Sequence, residues 1–455
     1  MQDRPPYKKR DKQTDIPSQD ELPSPRDNSS LASRRLAAFA VKEVMENSQP
    51  LEQVLAGQPQ YRALEGRDRA FVRLIAATTF RRMGQIDAAL KPFVRQRPTK
   101  LVYAALQTAT AQILYLGTPA HAAVGETVSM LKSRGSSKGF ANMANAVLRN
   151  IVDQGPKLAA SQPPKVNIPG WMRGEWERAY GRQAGRKLSA QLMKDPVLDI
   201  SVKSDVSGWA ETLGGEVIGA SSVRLSRIGD VPALDGFNDG EWWAQDVAAT
   251  LPVQILGDVK GKRVLDMCAA PGGKTMQLAA RGAIVTALDK SEGRLERVKQ
   301  NLERTKLEAD IICADALDWT PDGDLYDIVL LDAPCSATGT FRRHPDVLYN
   351  RTPKDVSNLV RLQDKLLSKA AEFVRPGGTL MYCTCSLMPK EGQPRIDTFL
   401  QSMTDFRLIP ILEASGLVLP EGAFSGGSLR SLPYYLEDKG GMDGFFIAKL
   451  ARKEK

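Results

Sequence analysis

Short apolar runs alternate with amphipathic segments in the C-terminal part of the chain, from Lys262 onwards. The apolar runs have the length of strands, and the segments between them have helical spacing. Because consecutive parallel strands need a crossover connection, this alternation predicts a mostly parallel sheet with helices on both faces. The predicted strands are Arg263–Met267, Ile284–Leu288, Ile311–Cys313, Ile328–Leu331 and Thr379–Cys383, and a late antiparallel strand lies within Gly444–Leu450.

Two cysteines come directly after consecutive strands of this predicted sheet: Cys335 after Ile328–Leu331, and Cys385 after Thr379–Cys383. The carboxyl ends of parallel strands meet at one edge of a sheet, where doubly wound folds bind their ligands. We therefore expect both thiols at the same edge, where they suggest covalent chemistry. The alternative is a buried strand thiol, which is the commonest role of a free cysteine. We assign that role to Cys383.

A glycine-rich turn, Cys268–Lys274, links the first predicted strand to the helix that follows it. Glycines allow a ligand to approach the backbone closely, and the amides at a helix N-terminus suit a carboxylate. The glycine spacing matches neither the phosphate-binding loop nor the three-glycine dinucleotide pattern. Asp289, Asp315 and Asp332 stand at successive strand ends. An acidic residue at the place of Asp289 typically accepts hydrogen bonds from ribose hydroxyls, and Asp315 is placed to meet an adenine edge. This pattern predicts a nucleoside cofactor without a required phosphate, and S-adenosyl-L-methionine fits it.

Residues 29–155 have helical periodicity and no strand signal, which predicts an all-α bundle. This segment holds 17 basic and eight acidic residues, and therefore accounts for the whole net charge of +9. A concentrated charge in which arginine dominates is typical of proteins that bind a phosphate backbone. The alternative is a helical domain that is basic for other reasons.

Composition divides the chain into four parts. Residues 1–28 are polar and rich in proline, which predicts a disordered tail. Residues 29–155 are the helical domain, and residues 156–250 are predicted to form a linker with a small α+β subdomain that we expect to bind nucleic acid. Residues 251–455 are the α/β domain. The proline and glycine residues within 153–170 are the reason for placing a linker there.

Cysteine and histidine content limits the metal chemistry and the compartment of the chain. Five cysteines without a secretion signal predict reduced thiols and a cytoplasmic protein. Two histidines exclude histidine-rich metal sites. A zinc site from Cys335, Cys383 and Cys385 is an alternative, but no pair has the Cys-x-x-Cys spacing. No apolar run approaches the length of a membrane span. We expect no metal, no membrane partner and a monomer.

Three ordered motifs give the chain a family resemblance. They are Ala269–Thr275, Asp332–Ser336 and Thr384–Ser386, and they resemble the NOL1/NOP2/Sun family of RNA (cytosine-5) methyltransferases over about residues 160–450. In the N-terminal half, Ile113–Leu116, Pro119–Val124 and Asn145–Asn150 resemble a NusB-like RNA-binding domain, and Arg342–Asp346 supports the same assignment.

The resemblance implies a Rossmann-like S-adenosylmethionine-dependent domain that methylates C5 of a cytosine in RNA. Cys385 would be the nucleophile that attacks C6, and Cys335 would assist release of the product. The chemistry also needs a group at N3 of the base, for which Asp332 is the candidate, with Lys274 aiding it. The implied cofactor-binding residues are Cys268, Ala269, Ala270, Pro271, Gly272, Gly273, Lys274, Asp289, Asp315 and Asp332. The NusB-like domain favours 16S ribosomal RNA as the substrate.

Other interpretations stay open at this point. A tRNA methyltransferase of the same family is one, and a non-catalytic RNA-binding assembly factor is another. A DNA cytosine methyltransferase would use the Pro-Cys cysteine, Cys335, as its nucleophile.

The chain also departs from its relatives at Lys390, where they tend to have an acidic residue. His344 is interpreted as a loop anchor, and Trp242–Asp246 either shapes an RNA entrance or packs between domains.

Overall fold

The computed structural model describes residues 29–133, 135–226, 230–414 and 416–454. The predicted tail, residues 1–28, lies outside this range. The chain forms two compact units. One extends to Gly174 and includes His344–Thr352, and the other comprises Glu175–Arg343 and the chain from Pro353 onwards. The four-part division expected from composition stays a prediction.

The first unit is helical, as its periodicity predicts. Its helices are α1 (Ser29–Asn47), α2 (Leu51–Ala56), α3 (Pro59–Arg62), α4 (Gly66–Arg81), α5 (Met83–Leu90), α6 (Lys100–Tyr115), α7 (Ala120–Lys132), α8 (Gly135–Lys138) and α9 (Ala141–Ala160). Ten residues of α6 are buried, because nearly every side chain of this helix is apolar or small. Helices α1, α4, α5, α7 and α9 pack around it. The apolar composition of the helix over Lys100–Tyr115 therefore explains why it lies at the buried centre of this unit.

Helix α9 contradicts part of the predicted linker, because it continues to Ala160 through Gly155 and Pro156. A proline inside a helix removes one hydrogen bond and usually ends the helix. Here tertiary packing outweighs that effect. Gly155 and Ala159 are buried, and a Cβ atom at Gly155 would lie 3.2 Å from the Cδ2 atom of Leu114. The close approach of α9 to α6 holds the helix together past its proline.

The segment His344–Thr352 completes this unit. The amide of Leu51 donates to the Oδ2 atom of Asp346 at 2.9 Å, and the hydroxyl of Tyr349 donates to the backbone oxygen of Asn167. The ring of Tyr349 also lies 6.0 Å from that of Phe80. These contacts make the segment part of the helical unit, although the sequence on both sides of it belongs to the other unit.

A long helix, α10 (Gly170–Leu192), leads into a small antiparallel sheet. Gly181 interrupts α10 with φ 87° and ψ 158°, and this kink divides α10 into two helices. The small sheet has the order β2-β3-β1-β4. Its strands are β1 (Leu198–Val202), β2 (Glu216–Ile218), β3 (Ser222–Leu225) and β4 (Trp242–Ala244), with α11 (Val206–Thr212) beside them. The small α+β subdomain is confirmed.

The second sheet contains nine strands in the described residues. They are β5 (Arg263–Met267), β6 (Ile284–Asp289), β7 (Asp310–Cys313), β8 (Tyr326–Asp332), β9 (Val374–Thr384), β10 (Phe406–Ile409), β11 (Phe424–Ser425), β12 (Ser428–Arg430) and β13 (Phe446–Arg452). The helices are α12 (Val247–Ile255), α13 (Gly273–Ala280), α14 (Glu292–Thr305), α15 (Pro353–Phe373) and α16 (Gln393–Ser402). The predicted α/β class is confirmed.

Strands β7, β6, β5, β8 and β9 are neighbours in the sheet in that sequence and pair in parallel. The late strand β13 pairs antiparallel with β9, as predicted. The register pairs Met267 with Leu331 and Leu331 with Tyr382. The carboxyl ends of β5, β8 and β9 therefore meet at one edge.

One predicted strand start is wrong. The sequence places the start of this strand at Thr379, but β9 begins at Val374, directly after α15 ends at Phe373, and includes Pro376, Gly377 and Gly378. The parallel pairing of β8 with β9 has a register shift between Tyr326 and Ile328, which accommodates them. Backbone pairing with β8 therefore extends the strand through residues that usually interrupt one.

A buried ion pair across the small sheet gives a stability prediction. Arg224 donates to both oxygens of Asp199 at 2.7 Å, and both side chains are almost fully buried. Replacing Arg224 by Met leaves a buried carboxylate without its cation, so the free energy of unfolding should fall by about 3–5 kcal/mol. Urea denaturation followed by circular dichroism measures this change.

The exposed pair Lys194–Glu437 provides the matched control. Lys194→Met should lower the free energy of unfolding by less than about 1 kcal/mol, because an exposed pair gains little over its hydration. Equal losses of stability for the two variants would contradict a special contribution of the buried pair.

Candidate active site at the carboxyl edge of the large sheet

The turn Cys268–Gly272 follows β5 and has a left-handed backbone at both ends. Cys268 has φ 63° and Gly272 has φ 100°. A Cβ atom at Gly272 would lie 3.1 Å from the Cγ1 atom of Val298, so the position has little room for a side chain. Ala269 and Ala270 are buried, and α13 begins directly after the turn. The turn therefore brings small residues and main chain to the edge of the sheet.

Asp266, in β5 just before the turn, stabilises the turn. It is fully buried, and the hydroxyl of Thr275 donates to its Oδ2 atom at 2.6 Å, which ties β5 to α13. Burial raises the pKa of Asp266 to about 7, against the lowering effects of the Thr275 hydrogen bond and the charge of Lys274. Asp266 lies two residues before the turn, and no pattern in the sequence distinguishes it as a site residue.

Asp289, at the end of β6, holds the other side of the turn. Its side chain is buried and accepts hydrogen bonds from the amides of Ala270, at 3.2 Å, and Ser291, at 3.0 Å. The guanidinium of Arg294 lies 3.5 Å from its Oδ2 atom. Asp315, in contrast, is exposed and caps its own turn by accepting from the amide of Leu317. Asp289 is therefore part of the framework of the turn, whereas the carboxylate of Asp315 is accessible.

Lys274 and Asp332 form an ion pair between α13 and the end of β8. The ammonium of Lys274 lies 2.8 Å from the Oδ2 atom of Asp332 and 5.2 Å from the centre of the Phe445 ring. Burial lowers the pKa of Lys274, but the charge of Asp332 and other acidic groups outweigh burial and raise the pKa above its usual value. Lys274 is thus a cation at neutral pH. Asp332 is partly exposed, so its carboxylate borders the site.

Cys383 lies at the end of β9 and is fully buried, as expected of a core thiol. Its thiol also donates to the Oδ1 atom of Asp332 at 3.5 Å, an interaction that the sequence analysis missed. Burial, followed by the charge of Asp332, raises the pKa of Cys383 well above its usual value. Cys383 therefore stays a neutral thiol that supports Asp332. The pairing of Asp332 with Cys383 across β8 and β9 explains why the two side chains meet.

The two cysteines that the sequence places at one edge are in contact. The Sγ atoms of Cys335 and Cys385 lie 3.4 Å apart, and both residues are partly buried. The hydrogen bond with Cys385 and burial raise the pKa of Cys335 well above its usual value. Cys335 is consequently a neutral thiol that can donate a proton to the sulfur of Cys385.

Two glycines hold the backbone of Cys385 in place. The amide of Gly339 donates to the backbone oxygen of Cys385 at 2.9 Å, and the amide of Gly444 donates to that of Gly339 at 3.0 Å. A Cβ atom at Gly339 would lie 1.9 Å from the Gly444 oxygen, so no larger residue fits. The segment just before β13 is thereby joined to the loop that follows β8 and contains Cys335. This close approach has no signal in the sequence other than the glycines.

The tryptophan motif near the small sheet is packed inside the protein. Trp242 is buried in the core of the small subdomain, and Trp243 is buried among residues of α13 and α14. The indole of Trp243 donates to the Oε1 atom of Gln245 at 2.7 Å. Asp246 accepts from the buried guanidinium of Arg342 at 2.9 Å. Both indoles are therefore packing residues: Trp242 lies within the small subdomain, and Trp243 packs against α13 and α14.

The described ranges contain neither a candidate metal cluster nor a helix that could span a membrane. Across residues 29–454, apart from the undescribed positions, no group of three or more His, Cys, Asp and Glu side chains could hold a metal ion. Within the same part of the chain, no helix has both the length and the apolar character needed to cross a membrane.

Comparisons with known proteins agree with this architecture. Residues 253–451 match the family model of the 16S rRNA methyltransferase RsmB/F, and residues 31–153 match that of the NusB family. The ribosomal RNA small subunit methyltransferase B of Xanthomonas campestris pv. campestris is 35% identical, and the match covers 93% of this chain and 97% of that protein. The protein of the same name from Cronobacter sakazakii is 32% identical, with coverage of 92% and 98%.

Solved structures show the same fold at lower identity. The crystal structure of PH0851 has a TM-score of 0.74 and 23% identity, and the match covers 94% of this chain and 99% of that one. NSun6 from Pyrococcus horikoshii with SFG has a TM-score of 0.55 and 19% identity, with coverage of 63% and 99%. From the family models and the relatives that match along almost their whole length, the chain belongs to the RsmB/F family of 16S rRNA methyltransferases, a family of S-adenosylmethionine-dependent enzymes.

Proposed function

We propose that this protein transfers a methyl group from S-adenosyl-L-methionine to C5 of a cytosine in 16S ribosomal RNA, through a transient bond between Cys385 and C6 of the base. The observation that carries the proposal is the pair of thiols 3.4 Å apart at the same sheet edge as the Lys274–Asp332 ion pair. One thiol alone would fit a structural role. Two thiols in contact, beside a carboxylate that borders the site, suit a reaction that forms a covalent bond and then breaks it.

The turn Cys268–Lys274 fits S-adenosylmethionine, which supplies an electrophilic methyl group when bound. Ala269, Ala270, Gly272 and Gly273 have no side chain beyond Cβ, which leaves room beside the backbone. The cofactor carries an ammonium and ribose hydroxyls, all of them donors, and the site offers carboxylate acceptors in return. The accessible Asp315 and Asp332 would accept from it, and Asp289 keeps acceptor capacity beyond its two amide hydrogen bonds.

Cytosine C5 is too weak a nucleophile to take a methyl group without help. Addition of the Cys385 thiolate to C6 makes C5 electron-rich, and a hydrogen bond at N3 stabilises the charge that develops on the ring. We assign the N3 interaction to Asp332, with Lys274 behind it. The ion pair supports this assignment, because the ammonium of Lys274 lies 2.8 Å from the Asp332 carboxylate and adds a positive charge that offsets the negative charge developing on the ring.

Cys335 is assigned to the second half of the reaction. The product forms when C5 loses its proton and the Cys385 sulfur leaves C6. A thiol with a raised pKa is a poor nucleophile at neutral pH, which speaks against Cys335 as the attacking group. The Cys335 thiol would give its proton to the departing sulfur of Cys385. The thiolate that this leaves, or a water that it orients, would accept the C5 proton, which restores the Cys335 thiol.

The helical unit would hold the RNA. In the described part of residues 29–155, which belong to this unit, eleven of the 17 basic residues are exposed, so the charge excess is on the surface. Arg34, Arg35 and Arg81 are buried instead; Arg35, for example, donates to the backbone oxygen of Met130. A phosphate-backbone binder needs accessible cations, and a reactive cytosine must be unstacked to reach a thiol.

The roles of the two cysteines predict opposite outcomes of their removal. Cys385→Ala should abolish methylation and form no covalent RNA adduct, because the nucleophile is missing. Cys335→Ala should accumulate an adduct that survives on a denaturing gel, because release is blocked. Labelled 16S ribosomal RNA with S-adenosylmethionine provides the assay. An adduct in the Cys385→Ala protein would instead identify Cys335 as the nucleophile.

The ion pair predicts a catalytic defect without a binding defect. Lys274→Met should lower kcat by about 10²-fold or more, since the negative charge that develops on the ring loses the nearby ammonium. The affinity for the RNA should be unchanged. Lys262→Met, an exposed lysine just before β5, is the control and should keep full activity. Full activity of Lys274→Met would remove the assigned role.

The surface charge predicts a change in salt dependence. Replacing the exposed Arg67, Arg95 and Lys132 by Gln should weaken RNA binding and lower the slope of log K against log salt by up to about 3, roughly one for each phosphate that is no longer neutralised. Binding of S-adenosylmethionine should not change. The control replaces the exposed Lys260, Lys299 and Arg407 of the other unit by Gln. Equal slopes for both triple variants would contradict RNA binding by the helical unit.

A further inference from the structure

A buried glutamate, Glu391, has no assigned role. It lies between the loop after β8 that contains Cys335 and the loop after β9 that contains Cys385, which are called the two cysteine loops below. Glu391 ends the short 3₁₀ turn Pro389–Glu391 and is completely buried. Its side chain accepts four hydrogen bonds from described residues. Two come from Ser336, through its amide at 2.9 Å and its hydroxyl at 2.5 Å. The others come from the hydroxyl of Ser386 at 2.5 Å and the side-chain amide of Gln363 at 2.9 Å.

These partners have a common position in the sequence. Ser336 directly follows Cys335, and Ser386 directly follows Cys385. Both serines are fully buried, and their Oγ atoms lie 2.9 Å apart. One carboxylate therefore holds the residue next to each reactive thiol. Gln363, on α15, also donates to the backbone oxygen of Pro334, on the other side of Cys335.

The four donors around the Glu391 side chain require a carboxylate that only accepts hydrogen bonds. An ionised carboxylate has about four acceptor sites and no donor, which matches four donors. The remaining hydrogen bonds are consistent with this, since the Oγ1 atom of Thr338 accepts from the amide of Leu387 and the Oγ atom of Ser386 accepts from that of Met388. Each hydroxyl has one proton, and both serine protons point at Glu391.

The backbone of Glu391 adds a third anchor. Its carbonyl oxygen accepts from the hydroxyls of Tyr382 and Thr384, each at 3.2 Å. Both donors belong to β9, the strand that leads to Cys385. Glu391 is thus fixed to the sheet by its main chain and to both cysteine loops by its side chain.

We propose that Glu391 is a positioning residue that sets the distance between the Cys335 and Cys385 thiols, and through it the release of the methylated product. The second part rests on the proposed function. Attack on C6 needs one thiol and the base, whereas release needs both thiols beside the same base. A loosened link between the loops should therefore slow release more than attack.

The first test measures thiol distance without any reaction on RNA. Diamide oxidises two neighbouring thiols to a disulfide and is itself reduced to the hydrazine, taking up both protons and both electrons. All proteins carry Cys313→Ser, because Cys313 is exposed. Glu391→Gln should lower the rate of formation of the Cys335–Cys385 disulfide, followed by mass spectrometry of the linked peptides, by about tenfold.

The control is Asp364→Asn. Asp364 lies on α15 next to Gln363, and its carboxylate accepts from Arg395, which lies outside both cysteine loops. Asp364→Asn should form the Cys335–Cys385 disulfide at the same rate as the protein that carries only Cys313→Ser. If Glu391→Gln also forms the disulfide at that rate, the proposal is overturned. Should Glu391→Gln not fold, Ser336→Ala and Ser386→Ala each remove one donor to the carboxylate, and the same criterion applies to them.

The second test separates attack from release. Glu391→Gln should accumulate the covalent RNA adduct, as expected for Cys335→Ala, with the KM for S-adenosylmethionine unchanged. In the Cys335→Ala background, Glu391→Gln should have no further effect on release, because its effect acts through Cys335. Additive losses of activity would indicate general damage and would overturn the positioning role. Absence of any adduct in every protein, with a slowed disulfide, would contradict the proposed function and leave the positioning role intact.

Discussion

The parallel hydrogen bonding of β8 with β5 and β9 determines where the candidate site residues of this protein lie. It pairs Met267 with Leu331 and Asp332 with Cys383, so the residues that follow each strand meet at one edge. A shift of one residue in β8 would turn the carboxylate of Asp332 to the other face of the sheet. The ion pair with Lys274 and the hydrogen bond from Cys383 both depend on this register.

The chemistry at that edge is divided between side chains that stay neutral and side chains that stay charged. Cys335 and Cys383 have raised pKa values, chiefly from the Cys385 hydrogen bond and from burial respectively, and remain thiols. Lys274 remains an ammonium because of Asp332. Closely packed loops hold these groups, as Gly339 lies where a side chain would collide with Gly444. A fixed arrangement suits a reaction in which one sulfur attacks and another group moves protons.

The fold shows which of the basic residues within 29–155 are exposed to solvent. All 17 basic residues contribute to the net charge, but Arg34, Arg35 and Arg81 are buried inside the helical unit. Most of the others are on its surface. The electrostatic attraction proposed for RNA therefore comes from a smaller set of side chains than the sequence count suggests. The net charge of a segment follows from composition, whereas exposure follows from how its helices pack.

The sequence by itself determined the fold class, the membership of the parallel strands and the identity of Cys335, Cys385 and the Cys268–Lys274 turn. Periodicity and short motifs are local properties, so the order of residues contains them. Only the tertiary structure decided that α9 continues through Pro156 and that Cys383 donates to Asp332. It also decided that Glu391 joins Ser336 to Ser386. Those features depend on residues far apart in the chain, and burial sets their hydrogen-bond partners once the strands have paired.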